Sequence, residues 1–147
     1  MTSVAGNRNV VAWLLLMSAL TLHVFDEAVT GFLPFYNQQV HRIWDSIGFL
    51  PVPAFSFSVW LGGLMAVIVV GFALSPVVGR GGRFMRVLAI GLGLLMILNA
   101  LGHMAGSVYF GRVLPGFWSS PVLLAAAVYL TVRGFGSAGW RGRGSRV

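Results

Sequence analysis

The 147-residue sequence contains no cysteine and no lysine, and only three of its side chains are acidic. Without cysteine, the chain can form no disulfide bond and can use no thiolate chemistry. Its cysteine count is therefore compatible with an oxidising or a reducing compartment. Charged residues make up 9% of the chain and hydrophobic residues 57%, whereas soluble domains carry about 25% charged residues. So little charge cannot cover the surface of a soluble protein. The composition therefore predicts a protein that exposes apolar surface to lipid.

All ten basic side chains are arginines, and they lie mainly between and after the apolar segments. They give a net charge of +7 and a pI near 11.6, beside a mean hydropathy of +0.86. In a soluble protein such a charge would suggest a nucleic-acid partner. Here membrane topology explains the arginines better, so no nucleic-acid partner is expected and the lipid bilayer is the expected surrounding.

Four segments are apolar enough to cross a bilayer, which takes about 20 helical residues. Clusters of proline and glycine separate them. The last segment is short, and Pro121 near its start is compatible with a first helical turn. The predicted fold is all-α: a polytopic membrane protein with a four-transmembrane-helix bundle, forming a single domain over residues 1–133. The predicted spans are 10–31, 54–75, 84–108 and 118–133.

The arginines are distributed unequally between the two sides of such a bundle. With four spans, the N-terminus, the middle loop and the C-terminal tail share one side and carry eight arginines, while the other two loops carry only Arg42 and Arg112. Positive charge favours the cytoplasmic side, so both termini of this multi-pass protein of the cell membrane are predicted to be cytoplasmic. No small-x-small cleavage site follows the first apolar segment, which is therefore expected to be a retained span.

Two segments outside the spans have compositions of their own. The longest loop, 32–53, has a repeat of apolar side chains at the i, i+3, i+4, i+7 spacing of one helical face. These residues are Val40, Ile43, Trp44 and Ile47. They predict a short amphipathic helix within 36–49, lying in the outer membrane interface, with an irregular loop as the alternative.

The tail, 134–147, is rich in glycine, serine and arginine, and is predicted to be flexible, basic and cytoplasmic.

Ionisable side chains lie inside two of the predicted spans, where they are energetically unfavourable and usually functional. His23, Asp26 and Glu27 are three and four residues apart, so they share one face of the first span. Asn99 and His103 are four apart in the third span. Both helices run outward from the cytoplasm, and at about 1.5 Å per residue the two groups reach a similar depth near the outer side. The five side chains are therefore predicted to form one site between two parallel helices.

These residues, in this order, resemble the HXXEE-domain family of small integral membrane proteins. The sequence has His-x-x-Asp-Glu at 23–27, a second histidine at 103 preceded by Asn99, and Leu-Pro-Gly at 114–116. The family pattern is His-x-x-Glu-Glu, a further histidine and Tyr-x-Pro-Gly, and the similarity covers about residues 15–130. The polar pattern of the family implies an enzyme and is compatible with a bound metal, but it implies no particular substrate.

The sequence departs from the family pattern at two positions. Asp26 stands in place of the first glutamate, which keeps the negative charge and shortens its reach. Val113 stands in place of the motif tyrosine, so a hydroxyl role at that position is either missing or taken by Tyr109.

The first functional hypothesis is a membrane-embedded enzyme with its site near the outer face. Glu27 or Asp26 would act as a general acid or base, or as a metal ligand, and His23 and His103 would complete the catalytic and metal-binding set. Two imidazoles with one or two carboxylates suit one divalent metal, zinc or ferrous iron.

The surroundings of that site bear on its substrate. At lipid depth, the expected substrate is a lipid or another apolar small molecule. Asn99 would support the site. Arg112 could pair with a phosphate or carboxylate head group, although ordinary interfacial anchoring explains Arg112 better.

Two alternatives stay open. The same residues could line a proton relay or a small transport pathway, because intramembrane acids and histidines are the usual parts of such relays. The half of the bundle toward the cytoplasm has no comparable polar row, so a continuous path would depend on an oligomer, which the sequence leaves open. In the third hypothesis the protein is a non-catalytic bundle, whose polar groups only hydrogen-bond its helices together at about 1 kcal/mol per bond.

Overall fold

The computed structural model describes residues 4–48 and 52–136, and of the first two of these, Val4 and Ala5, only the backbone. These residues form six helices, and no β-strand occurs among them. The helices are α1 (Val4–Thr30), α2 (Phe32–Ile47), α3 (Phe57–Ala73), α4 (Ser75–Arg80), α5 (Arg83–Tyr109) and α6 (Ser120–Phe135). The predicted all-α fold is therefore confirmed.

Three stretches of helix are long and apolar enough to cross a membrane: Gly6–Thr30, Phe57–Arg80 and Arg83–Tyr109. They coincide with the first three predicted spans. The second comprises α3 and the short α4, which are separate because Pro76, in the first turn of α4, cannot donate the backbone hydrogen bond that would continue α3. α6 coincides with the fourth predicted span and is apolar, but at 16 residues it is shorter than the other three.

The loop predicted to contain an amphipathic helix does contain one, and it is longer at its N-terminal end than predicted. α2 begins at Phe32, because Gly31 adopts a left-handed conformation (φ 81°) that turns the chain directly out of α1. Pro34 falls in the first turn of α2, where its missing N–H would have no helical partner anyway. At the C-terminal end of the chain, α6 extends to Phe135, and the predicted flexible tail beyond residue 136 lies outside the described residues.

The packing places the buried face of α1 against several neighbours. α5 and α6 form a closely packed antiparallel pair, and α6 and α4 in turn pack against α1. The backbones of α1 and α5 lie further apart, so these two helices meet through side chains. The buried residues of α1 recur every three to four positions, as expected for one helical face. They include Trp13, Leu16, Leu20, His23 and Glu27. The polar site is therefore the end of the same face that forms the apolar core.

Polar contacts fix the outlying helices. The indole Nε1 of Trp13 donates a 2.7 Å hydrogen bond to the carbonyl of Gly71 and so joins α1 to α3. The side-chain amide of Asn37 in α2 donates to the carbonyl of Phe55 (2.9 Å) and accepts from its N–H (3.1 Å). These two bonds join α2 to the residues just before α3.

Candidate metal centre

The C-terminal parts of α1 and α5 bring two imidazoles and a carboxylate together. The Glu27 Oε1 atom lies 2.9 Å from Nε2 of His103 and 3.5 Å from Nε2 of His23. One ligand atom from each of the three residues falls within 4.8 Å of the others, and all three residues are buried. We call these residues, His23, Glu27 and His103, the triad.

The other ring nitrogen of His103 is held by the loop between α5 and α6. Nδ1 lies 2.6 Å from the carbonyl oxygen of Pro115. A carbonyl can only accept, so Nδ1 carries a hydrogen. The Ser107 hydroxyl fixes this loop, because it accepts from the N–H of Leu114 (3.0 Å) and donates to the carbonyl of His103 (2.8 Å). The loop thereby orients the His103 ring with Nε2 toward Glu27.

His23 is oriented by Ser119 and Asp26. Nδ1 of His23 lies 2.8 Å from the Ser119 hydroxyl oxygen, and that hydroxyl donates to Oδ2 of Asp26 (2.7 Å). The N–H of Ser119 also donates to Oδ2 (3.0 Å). Because a serine hydroxyl has a single proton, its bond to Asp26 leaves it as the acceptor for Nδ1–H of His23. The Nε2 atom of His23 then carries a lone pair, which accepts from the Asn99 amide at 2.9 Å.

The two imidazoles and the carboxylate thus turn acceptor atoms toward a common point. A neutral His103 with its proton on Nδ1 directs the Nε2 lone pair at the carboxylate oxygen 2.9 Å away. Two lone pairs at that distance repel each other unless a cation, either a proton or a metal ion, lies between them. Histidines that bind metals have this arrangement, with the outer N–H donating to a carbonyl or hydroxyl partner and the other nitrogen facing the metal.

One separation within the triad matches that of two ligands on a small divalent metal. A tetrahedral zinc ion with bonds of about 2.0–2.1 Å has ligand atoms roughly 3.4 Å apart, close to the 3.5 Å between Glu27 Oε1 and His23 Nε2. The 2.9 Å between Glu27 Oε1 and His103 Nε2 is a hydrogen-bond distance, and it would lengthen by about 0.5 Å around such an ion. Two histidines and one glutamate are also the ligand set of zinc hydrolases and match the facial triad of ferrous oxygenases, and both leave positions open for water or substrate.

Gly116 closes the site from the loop side. Its φ of 80° belongs to the left-handed region, which favours glycine. A Cβ atom at this position would lie 2.9 Å from the His103 ring and 3.1 Å from Cγ of Glu27. The backbone of the Leu-Pro-Gly segment therefore packs directly on the triad, at a distance that only glycine permits.

The other residues predicted for the site have different surroundings. Asp26 is half-buried and bonds to Ser119 rather than pointing at the triad. Asn99 contacts the triad through His23. Arg112 is exposed, and its guanidinium lies over the ring of Phe35, 5.9 Å from the ring centre. Val113 and Tyr109 are 53% and 83% exposed. Tyr109 packs on the ring of the adjacent Phe110, so it does not supply the hydroxyl that the motif tyrosine would.

Sequence reasoning missed Ser119 and the roles of Pro115 and Gly116. Nothing in the local sequence marks Ser119, which lies among apolar residues just before Pro121 and belongs to a loop. The Leu-Pro-Gly segment stood out only as part of a motif. Phe32 was also missed: its ring centre lies 5.3 Å from that of His103, which places it beside the site.

A cleft of about 280 Å³ reaches the triad from the side, between α2 and α5. Two of the residues that line it are polar, His103 and Asn99. The remaining wall is formed by Phe32, Phe35, Leu98, Gly102 and Leu114.

The fold and the site together define a small helical membrane protein with a buried His-Glu-His cluster. Residues 13–130 match the model of a family described as "Protein of unknown function with HXXEE motif". The chain belongs to this HXXEE family, as the motif residues indicated. No curated protein and no solved structure matches the chain.

Proposed function

We propose that this protein is a metal-dependent enzyme embedded in the cell membrane, with His23, Glu27 and His103 as ligands of one divalent ion, zinc or ferrous iron. Its four spans would be the helices α1, α3 with α4, α5, and α6, and both termini would be cytoplasmic. α6, at 16 residues, is about 24 Å long and covers most of a hydrocarbon core of about 30 Å.

One observation carries the proposal: both histidines are held by outer partners at Nδ1 while both Nε2 atoms face the same carboxylate oxygen. In a cluster that only stabilises the fold, each acceptor atom would be expected to have its own hydrogen-bond donor. With both imidazoles neutral and protonated at Nδ1, three acceptor atoms converge, and Asn99 Nδ2 donates to one of them. A metal ion satisfies all three ligands at once, and rotation of the Asn99 amide releases the Nε2 atom of His23.

The chemistry open to such a site follows from its ligand count. Three protein ligands leave at least one coordination position for water or substrate, where a bound ion would activate water or polarise a carbonyl or phosphoryl oxygen. Asp26 and Ser119 hold His23 in the required tautomer. The position of the site at the ends of two apolar helices favours a lipid or another apolar molecule as the substrate.

Elemental analysis of the purified protein tests the proposal. The wild type should contain close to one zinc or iron per chain, and Glu27→Gln should lose it, because an amide oxygen is a neutral and weaker ligand. Asp45→Asn is the matched control, since it makes the same chemical change at an exposed acid of α2. Metal-free wild type, or equal metal in Glu27→Gln and the wild type, would contradict the proposed metal site.

A proton relay is the second candidate, and a specific contact favours it. The hydrogen-bonded series Asp26–Ser119–His23 runs from a half-exposed carboxylate to the triad, and such a series can transfer protons. In this case the purified protein would hold no metal. Liposomes containing the wild type would then conduct protons, and liposomes containing Glu27→Gln would not.

A further inference from the structure

The cleft between α2 and α5 combines an apolar wall with a polar inner end. The rings of Phe32 and Phe35 form one side, and Leu98 and Leu114 belong to the other. The polar inner end consists of His103 and the Asn99 amide. A ligand that fits these surroundings has a polar group at one end and hydrocarbon behind it.

The cleft opens where α5 presents hydrocarbon side chains outward. Leu98 lines the cleft and is 69% exposed, and Leu94, Leu95 and Leu101 around it are each at least 45% exposed. In a helix that crosses the membrane, such a surface faces acyl chains. The mouth is therefore continuous with lipid, and a ligand can enter sideways without crossing water.

Gly102 lines the cleft. It is one helical turn from Leu98 and next to His103, and a Cβ atom there would have no neighbour within 4 Å. A Cβ atom at this helical position would therefore project into open space without disturbing the packing. The missing side chain of Gly102 therefore leaves room that a hydrocarbon chain can occupy.

We propose that the substrate is a long-chain amphiphile that enters from the lipid through this cleft, with its chain beside Gly102 and its polar head at the triad. This inference rests on the proposed function, because the head is bound there by the metal that the triad holds. The exposed guanidinium of Arg112 lies over the ring of Phe35, which lines the same cleft. Gly102 is thus a specificity-determining residue for the length of chain that the site accepts.

Two hydroxamic acids serve as probes, because the hydroxamate group chelates zinc and iron. Decanohydroxamic acid carries a long chain and acetohydroxamic acid carries a single methyl group. Their affinities for the purified, metal-loaded protein are measured in one detergent at one concentration, so that partition into micelles is the same for every variant. The ratio of the two affinities measures the contribution of the chain.

The test variant is Gly102→Phe. Gly102→Leu is a second variant, with a smaller side chain that favours the helix. Gly91→Phe is the matched control, since Gly91 also lies in α5, is eleven residues away from Gly102, and would likewise have no neighbour within 4 Å of an added Cβ atom. Metal content is measured for each variant in parallel. Both Gly102 variants are expected to keep the metal of the wild type.

In the wild type and Gly91→Phe, the long chain should strengthen binding by at least roughly tenfold, equivalent to burying about two methylene groups. Gly102→Phe should remove that advantage and leave acetohydroxamate binding unchanged. A chain advantage that persists in metal-loaded Gly102→Phe, or that is absent from metal-loaded wild type, would overturn this inference alone. A wild type without metal would overturn the proposed function, and this inference with it.

Discussion

Asp26 and Ser119 are joined by two hydrogen bonds that end on the same carboxylate oxygen, one from the hydroxyl and one from the backbone N–H of the serine. The two residues come from α1 and from the loop that leads into α6. Because the Ser119 hydroxyl also contacts Nδ1 of His23, this pairing determines which nitrogen of that imidazole carries the hydrogen. Asp26 therefore influences the triad through Ser119, without pointing at the triad itself.

Removal of the Ser119 hydroxyl should weaken metal binding without unfolding the protein. Ser119→Ala takes away the acceptor that holds His23 in its tautomer, and the loss of such an outer partner typically lowers metal affinity by about 10–100-fold. Ser120→Ala is the control, because this buried hydroxyl donates to the carbonyl of Gly116 and contacts no imidazole. Affinities measured by competition with a chelator check the prediction. Equal losses in the two variants would mean that the Ser119 hydroxyl acts only on stability.

A side chain at Gly116 should disturb the triad. Gly116→Ala combines a left-handed backbone with overpacking against His103 and Glu27, and overpacking alone destabilises by about 1–3 kcal/mol. Gly111→Ala separates the two effects, because Gly111 has a φ of 61° and open space around it. Thermal unfolding and metal content are measured for both variants. We expect loss of metal only in Gly116→Ala. Equal loss of metal in the two variants would mean that the left-handed backbone, and not overpacking against the triad, causes the effect.

The two histidines should act as one site. His23→Ala and His103→Ala should each abolish high-affinity metal uptake, and the double variant should be no worse than either one, because ligands of one ion are strongly coupled. His41→Ala is the control, since this exposed imidazole in α2 contacts Trp44 and not the triad. Independent, additive losses of metal in the two single variants would indicate two separate sites.

The topology is open to labelling, because the chain has no native cysteine. Ser46→Cys places a thiol on the exposed side of α2, and Ser145→Cys places one in the tail. With cytoplasmic termini, a membrane-impermeant maleimide added to intact cells should label the first thiol, and should label the second only after the cells are opened. The reverse pattern would invert the proposed orientation, and labelling of both in intact cells would rule out the four-span arrangement.

The sequence predicted the helices well because their signals are local. Long apolar runs bounded by arginine, proline and glycine marked α1, α3, α5 and α6, and the i, i+3, i+4, i+7 pattern marked α2. The same local rules brought His23 and Glu27 onto one face, and a count of residues from the cytoplasmic ends placed His103 at their depth. The structure places these three side chains at one point.

Asp26 shows where local rules stop. Residues three and four positions after His23 are both its neighbours, but Asp26 and Glu27 are about 100° apart around the helix. Glu27 therefore faces α5, while Asp26 faces the start of α6 and Ser119. Which neighbour lies on which side of α1 depends on the packing of whole helices, and a single sequence does not contain that arrangement. The same holds for the Pro115 carbonyl and the close approach of Gly116, which are set by the path of a loop.

The paired bonds between Asn37 and Phe55 have a mechanical consequence. Phe32 of α2 forms part of the cleft wall. On the same helix, the side-chain amide of Asn37 hydrogen-bonds to both the N–H and the carbonyl of Phe55, just before α3. Any outward swing of α2 that widens the mouth must either break both bonds or pull the beginning of α3 along with it. Because the Trp13 indole holds α3 against α1, these two bonds restrain α2 against such a swing.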